Sequence, residues 1–163
     1  MAFKFPETLS NFKDEIEQTD NDGTLQIYSY KHCDNKSPNG VKQCRGVIYE
    51  GDKQVVRSIG YTPEWSTDEW ASSSPNSGEV YSFYPSYEGT LIRMFYCETN
   101  SKWYTATHRK LDAFRSRWGS SVSFGKMFEE TLQSYQTSLT TLYETLDKKN
   151  CNRPGWFPWI WWL

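Results

Sequence analysis

Two segments in which β-rich runs flank a short turn constrain the fold of this chain most. In residues 46–57 the turn lies at 50–53, and in residues 90–107 it lies at 99–101. Apolar and β-branched residues on both sides of a turn rich in Gly, Asp, Asn and Ser predict antiparallel hairpins. A further strand is predicted for residues 24–30, so most of the sheet should be antiparallel.

Helical spacing of apolar residues predicts helices around these strands. One amphipathic helix is predicted for residues 6–18 and a long one for residues 123–147, with a third near Trp118 whose spacing would place that side chain in the core. Residues 66–78 are expected to form a surface loop and residues 79–84 a strand. The residues whose helical spacing supports these predictions are Leu9, Phe12, Ile16, Leu111, Phe114, Trp118, Phe124, Phe128, Leu132, Tyr135, Leu139, Leu142 and Leu146.

The length of 163 residues is enough for one domain with its own core. An aromatic share of 17% excludes disorder over most of the chain. Helices flanking a run of hairpins predict an α+β fold with a mainly antiparallel sheet and flanking helices.

Charge is unevenly distributed along the chain. The formal net charge is −2, which argues against a uniformly basic nucleic-acid coat protein. Residues 102–126 nevertheless carry a single acid, Asp112, against these cations: Lys102, Arg109, Lys110, Arg115, Arg117 and Lys126. Trp103, Tyr104 and Trp118 lie among them, and aromatic rings beside cations suit single-stranded RNA. This basic segment is a candidate phosphate-binding surface, and the alternative is a solvated face.

Cysteine and histidine spacing gives no sign of a zinc site. The four cysteines form no Cys-x-x-Cys pair, and His32 and His108 lie far apart. The N-terminal residues contain no apolar run of signal-peptide length, so we expect reduced thiols in a cytoplasm. Cys44 lies in a predicted strand and is expected to be a small buried side chain.

Residues 151–163 differ in composition from the rest of the chain. The last eight residues hold four of the eight tryptophans, and Pro154 and Pro158 oppose a continuous helix or central strand. The segment is too short to cross a bilayer, which takes about 20 residues. We expect it to lie outside the folded core, and a membrane-surface anchor, a docked tail and a misread coding end stay open as alternatives.

Three ordered motifs carry a resemblance to a known family. They are Ile27-Tyr28-Ser29-Tyr30 with Gln43-Cys44-Arg45-Gly46-Val47-Ile48-Tyr49-Glu50, then Val56-Arg57, then Tyr87-Glu88-Gly89-Thr90-Leu91-Ile92. Together they resemble the nucleotidyltransferase domain of phage-type tRNA-repair RNA ligases and their relatives in large DNA viruses, over about residues 24–110. The resemblance implies a partial nucleotidyltransferase domain, ATP-grasp-like, in residues 1–150, followed by the Trp-rich tail 151–163, and a viral or phage origin.

The resemblance also implies a nucleotide site. The family's lysine attacks the α-phosphate of ATP, with Mg²⁺ as cofactor, and the adenylyl group passes to an RNA 5′-phosphate. That lysine position falls on Ser86, which has no adjacent general base, so direct nucleotidylation is not expected. Arg45, Glu88 and Gly89 match other family positions near the nucleotide, and Ser86 completes the implied nucleotide-binding set.

The end of the second hairpin is the implied phosphate and RNA contact. His108, Arg109 and Lys110 stand where the family has a basic strand end, and Arg115 follows in the same basic segment. The family's later phosphate-binding motifs should follow the long helix, where this chain has the Trp-rich tail instead. The resemblance therefore implies that half of the family's active site is not matched within these 163 residues.

Three functional hypotheses follow. The first is a catalytically degenerate RNA-ligase-like domain that binds nucleotide or RNA weakly. The second is a non-catalytic module that docks a protein partner through the 123–147 helix or the Trp-rich tail. The third is an active ATP-dependent ligase in which another lysine, Lys42 or Lys110, has taken over the role of nucleophile.

Overall fold

The computed structural model describes residues 5–72, 82, 89–146 and 160–162, and the strands in this part of the chain form two sheets. The first sheet has the order β1-β2-β3-β4 and every neighbouring pair is antiparallel. Its strands are β1 Ile16–Asn21, β2 Gln26–Tyr30, β3 Arg45–Glu50 and β4 Lys53–Val56. The predicted hairpin at 46–57 and the strand at 24–30 are confirmed.

The second sheet has the order β6-β5-β7, again antiparallel. Its strands are β5 Leu91–Cys97, β6 Lys102–Ala106 and β7 Ile160–Trp162. The hairpin predicted at 90–107 is therefore confirmed. The expectation that the whole Trp-rich tail lies outside the fold is wrong for β7, whose backbone pairs with β5 from Leu91 to Arg93.

The helices are shorter than the sequence predicted. They are α1 Asn39–Lys42, α2 Thr67–Ser72, α3 Phe124–Ser134 and α4 Leu139–Thr145, with 3-10 turns at Glu7–Phe12 and Ala113–Arg115. α2 replaces part of the surface loop expected at 66–78. The remainder of that loop, and all but residue 82 of the strand expected at 79–84, lie outside the described residues.

The long helix predicted for residues 123–147 is two helices. The chain leaves α3 at Gln136, where φ is +56°, and begins α4 after Ser138, whose hydroxyl accepts a hydrogen bond from the Thr141 amide. A side-chain cap of this kind starts a new helix. The leucine spacing survives the break because α3 and α4 both pack against the same buried cluster.

The helix predicted for residues 6–18 is also wrong beyond Phe12. Ile16 belongs to β1, where it pairs with Tyr30 and is buried beside Leu9. Its position fits both a helical face and an alternating strand. Ile16 lies in a strand because β1 hydrogen-bonds to the free edge of β2 as its antiparallel neighbour.

Three buried clusters stack the elements into layers. The middle cluster joins the two sheets, one outer cluster lies under the first 3-10 turn, and the other packs α3 and α4 on the far face of β5. The middle cluster consists mainly of Leu25, Ile27, Ile48, Phe95 and Tyr104. The cluster under the first 3-10 turn contains Leu9, Ile16, Tyr28 and Val47. The cluster beneath α3 and α4 contains Ile92, Met94, Phe128 and Leu132. The result is a mixed α and β fold with antiparallel sheets, as the α+β prediction required.

Cys44 is buried in the outer cluster under the first 3-10 turn, as predicted. Burial raises the pKa of its thiol to about 11, so the side chain stays protonated and unreactive.

Candidate functional site

The two sheets meet closely where β3 begins and β6 has just ended. Gly46 in β3 has a φ of +85°, and a Cβ there would lie 2.4 Å from the backbone oxygen of His108. The same oxygen accepts a hydrogen bond of 3.0 Å from the Ser29 hydroxyl on β2. Only glycine permits this approach, so Gly46 and Ser29 fix the backbone of His108 against the first sheet.

Behind this contact lies a buried arginine that the sequence analysis missed. Arg93 on β5 is 1% exposed and donates to the carbonyl oxygens of Gly46, at 2.6 Å, and Thr107, at 2.7 Å. Burial lowers the pKa of its guanidinium to about 10, which still leaves it charged at neutral pH. The only charged residue in an otherwise apolar strand was the signal that could have identified it.

The Arg93 charge has no carboxylate partner in the described part of the chain. Its two hydrogen bonds go to backbone carbonyls, and its Nε has no partner among the described residues. A buried cation ordinarily needs an opposite charge or a full set of acceptors. Arg93 therefore adds positive potential to its surroundings.

Next to this contact a cavity of about 650 Å³ opens to solvent. We call it the arginine cavity because Arg45, Arg109 and Arg117 line it together with Gly89 and His108. No carboxylate belongs to the described part of its lining. The rest of the lining is apolar or hydroxyl-bearing: Ile59, Leu91, Trp118 and Phe124, with Thr62, Thr90, Thr107 and Ser116.

Two of the lining arginines have no anionic partner of their own. Arg45 and Arg117 are exposed and make no ion pair with any residue in the described ranges, whereas the Arg109 guanidinium lies 3.0 Å from Glu17. Cations that converge on a recess without carboxylates are suited to hold an anion.

Trp118 is 87% exposed and lies on the rim of the arginine cavity. The prediction that it belongs to the core is wrong, because the 3-10 turn stops at Arg115 and Ser116 is extended. Its indole ring is therefore available for stacking against a flat ligand.

His108 has the most strongly altered titration in the cavity. Burial, and then the charges of Arg45, Arg93 and Arg109, lower the pKa of its imidazole to about 4. The ring is consequently neutral at physiological pH. Its nitrogens form no hydrogen bond with the described residues.

The remaining sequence-predicted phosphate contacts lie elsewhere. Lys110 and Arg115 both approach Asp20 on β1, with N to O distances of 3.9 and 3.7 Å, and neither lines the arginine cavity. The Asp20 side chain is 6% exposed and also accepts the Leu111 amide at 3.1 Å. We call this group the Asp20 corner.

The implied nucleotide positions are only partly described. Arg45 and Gly89 line the arginine cavity, with Gly89 at a φ of +149°, whereas Ser86 and Glu88 lie outside the described residues. Neither relocated-lysine candidate lines the cavity. The Lys42 amine donates to the Asn35 carbonyl at 2.7 Å, and Lys110 belongs to the Asp20 corner.

The described ranges contain no group of three or more His, Cys, Asp and Glu side chains arranged to hold a metal ion. Magnesium bound with phosphates uses one or two carboxylates, and the described cavity lining offers none. Within those same ranges, no helix combines the length and apolar character needed to cross a bilayer.

Two viral proteins are similar to this chain. It is 37% identical over 130 residues to the Immediate-early protein ICP-46 homolog of Invertebrate iridescent virus 3. The aligned region covers 72% of this chain and 28% of that relative. It is 37% identical over 119 residues to the protein of the same name from Invertebrate iridescent virus 6, covering 69% of this chain and 25% of that relative. The chain thus spans about a quarter of the length of these relatives, and their source supports the predicted viral origin.

No protein-family model matches the chain, and no solved structure matches it.

Proposed function

We propose that this chain is an RNA-ligase-like nucleotidyltransferase domain whose arginine cavity binds the phosphate and base of a nucleotide or RNA end, with little or no adenylyl transfer. The observation that carries the proposal is the convergence of Arg45, Arg109 and Arg117 on a recess whose described lining has no carboxylate. The buried Arg93 adds a fourth positive charge close behind the same recess.

The cavity offers separate contacts for the two parts of a nucleotide. Guanidinium groups bind phosphate oxygens in charge-assisted pairs, and Arg45 and Arg117 are free of competing ion pairs within the described ranges. The exposed indole of Trp118 on the rim is a stacking surface for a base. Gly89, without a side chain, leaves its backbone open to close approach.

The antiparallel sheets and the order of the motif strands agree with the resemblance on which the nucleotidyltransferase assignment rests. The first motif lies on β2 and β3, the second at the end of β4, and the third reaches the start of β5. Arg45 at the start of β3 and Gly89 just before β5 line one cavity. Residues about 40 positions apart in sequence thus meet where a nucleotide would bind.

Binding is tested by calorimetry with ATP and with a short single-stranded RNA, either 5′-phosphorylated or not. Replacing Arg45 and Arg117 together with Met should weaken ATP binding at least about tenfold, since each charge-assisted hydrogen bond contributes about 1.5–3 kcal/mol. Arg57→Met is the single-cation control, because Arg57 is exposed but does not line the arginine cavity. Equal losses in both variants would refute the assignment.

The stacking contact is tested in the same way. Trp118→Ala should weaken both ligands by about five- to a hundredfold, from a stacking contribution of about 1–3 kcal/mol per base. Trp65→Ala is the control, because Trp65 is also exposed but lies outside the cavity lining. If phosphorylated and unphosphorylated RNA bind alike, the cavity does not recognise a terminal phosphate.

Catalysis is tested by incubation with labelled ATP and magnesium followed by denaturing electrophoresis. We expect no labelled adduct above background, because serine stands at the nucleophile position and Lys42 and Lys110 are held away from the cavity. An acid-labile, alkali-resistant adduct mapped to a lysine would establish the active-ligase hypothesis instead.

The partner-docking hypothesis receives less support from the fold. Leu139, Leu142 and Leu146 pack against the cluster around Ile92 and Met94, so the apolar face of the 123–147 region is largely used by the domain itself. If neither ATP nor RNA binds, docking of a protein partner becomes the leading function.

A further inference from the structure

His108 is held in the arginine cavity by its backbone, which leaves its ring free to respond to a ligand. The carbonyl accepts the Ser29 hydroxyl at 3.0 Å, and Gly46 packs against the carbonyl and Cα. The imidazole itself lines the cavity and forms no hydrogen bond with the described residues. Changes at the ring can therefore occur without loss of the backbone contacts.

Positively charged side chains approach His108 from several elements of the fold. Arg45 approaches from β3, Arg93 from β5 and Arg109 from its own loop, and all three disfavour a positive imidazole. Arg117 lines the same cavity from the loop after the second 3-10 turn. Glu17 on β1 faces Arg109 at 3.0 Å, and the described lining contributes no acid of its own.

An anion held by these arginines reverses the electrostatic preference of the His108 ring for its neutral form. It screens the three positive charges and supplies an acceptor for an imidazole N–H, so it favours the protonated form that burial and the arginines oppose. By linkage, a ligand that favours protonation must itself bind better when the proton is present.

We propose that His108 takes up a proton from solvent when an anionic ligand enters the arginine cavity, so that anion binding there strengthens as the pH falls. The inference rests on the proposed function, because it needs the arginines to hold an anion. It adds a regulatory property to the site: the domain would bind anionic ligands more tightly in an acidic medium.

The probe is inorganic sulfate, which remains a dianion across the whole range and so contributes no titration of its own. The His108 imidazole is followed by NMR between about pH 3.5 and 8, in a His32→Gln background that leaves a single histidine signal. At saturating sulfate we expect the pKa of His108 to rise by at least about one unit. This corresponds to at least about tenfold tighter sulfate binding below both pKa values than above them.

His108→Gln is the decisive variant, since it keeps the backbone contacts and removes the titrating ring. Its sulfate affinity should lose most of the pH dependence seen in the parent protein, while the amides of Thr107 and Arg109 still shift on binding. His32→Gln alone, at an exposed site, should keep the parent's pH dependence.

The outcomes separate the two proposals. If sulfate shifts the cavity amides but leaves the pKa of His108 unchanged, or if His108→Gln keeps the full pH dependence, the proton linkage is refuted and the binding function survives. If neither sulfate nor ATP perturbs any cavity residue, the proposed function fails and the linkage fails with it.

Discussion

The Asp20 corner and the arginine cavity both contain cations of the basic segment 102–126, and they use these charges in opposite ways. At the corner, Lys110 and Arg115 share one nearly buried carboxylate. In the cavity, Arg109 has a surface partner, Arg117 and Arg45 have none within the described ranges, and Arg93 is buried against carbonyl oxygens alone.

The difference shows that a basic segment is not a functional unit. Basic residues one to seven positions apart in sequence have different neighbours, and the neighbour decides whether a cation stabilises the fold or remains available to a ligand. A count of charges along the chain cannot separate these cases. The position of acids on other strands can, and here Asp20 on β1 claims two of the six cations.

The largest effect is expected from breaking the backbone contact on the cavity side. Gly46→Ala places a Cβ 2.4 Å from the His108 oxygen at a φ of +85°, so we expect a loss of about 4 kcal/mol from strain and overpacking. Urea unfolding measures it. Gly51→Ala is the matched control, since it has a φ of +58° and open space around it, and should cost only about 1 kcal/mol.

The second effect is a pH dependence that only the cavity should contribute. The pKa of His108 is lowered from 6.5 to about 4 in the folded protein, so the unfolded chain binds more protons between these values. Its contribution to stability is complete above about pH 6.5 and is lost as the pH falls towards 4, by about 2–3 kcal/mol.

The measurement is the free energy of unfolding of the parent and of His108→Gln between about pH 6.5 and 4. The difference between the two proteins isolates the contribution of His108, because both contain the same carboxylates. The Gln variant should be the less pH-dependent of the two. Parallel curves would mean that His108 is as well solvated as an exposed histidine.

The third prediction concerns a substitution that removes the carboxylate of the Asp20 corner. Asp20→Ala leaves the Leu111 amide without its acceptor and two cations without their shared carboxylate, which should cost about 2 kcal/mol. Glu129→Ala, which removes only a surface pair with Lys126, should cost less than about 0.5 kcal/mol. Anion binding in the cavity should be unaffected by either change, and a weakened cavity in Asp20→Ala would show that the two regions are coupled.

The smallest effect concerns the salt dependence of RNA binding. Replacing Arg45 and Arg117 with Met should flatten the slope of log affinity against log salt by about 1.4, at about 0.7 per phosphate contact. Replacing Lys110 and Arg115 with Met should lower stability but leave the slope unchanged. The opposite result would move the phosphate contacts from the cavity to the corner.

The strands were predictable because alternation and turn chemistry act locally. Leu25 and Ile27 face the middle cluster as their spacing requires, and both hairpins turn where Gly, Asp, Asn and Ser concentrate. The helices were not predictable to the same degree, because apolar spacing records which residues face the core and not whether the backbone between them is continuous. Leu132 and Leu139 share a cluster across the break at Gln136.

The candidate site was predictable only where motif residues carry it. Arg45 and Gly89, which the resemblance implied as nucleotide contacts, line one cavity with His108 and Arg109, which it implied as phosphate or RNA contacts. The separation of Lys110 and Arg115 from them depends on Asp20, about 90 residues earlier in the chain. Arg93 is marked in the sequence as the one charged residue of an apolar strand, but its position behind the cavity depends on sheet packing, and the exposure of Trp118 depends on where the 3-10 turn ends.

The contacts that shape the cavity also set the order in which the protein can assemble. In the first sheet, each strand pairs with the next one along the chain, so it can form from contacts of short range. The cavity is closed by hydrogen bonds between residues 47 and 79 positions apart, from Arg93 to Gly46 and from Ser29 to His108. Such long loops are slow to close, so during synthesis the first sheet should emerge and fold while the binding site is still absent.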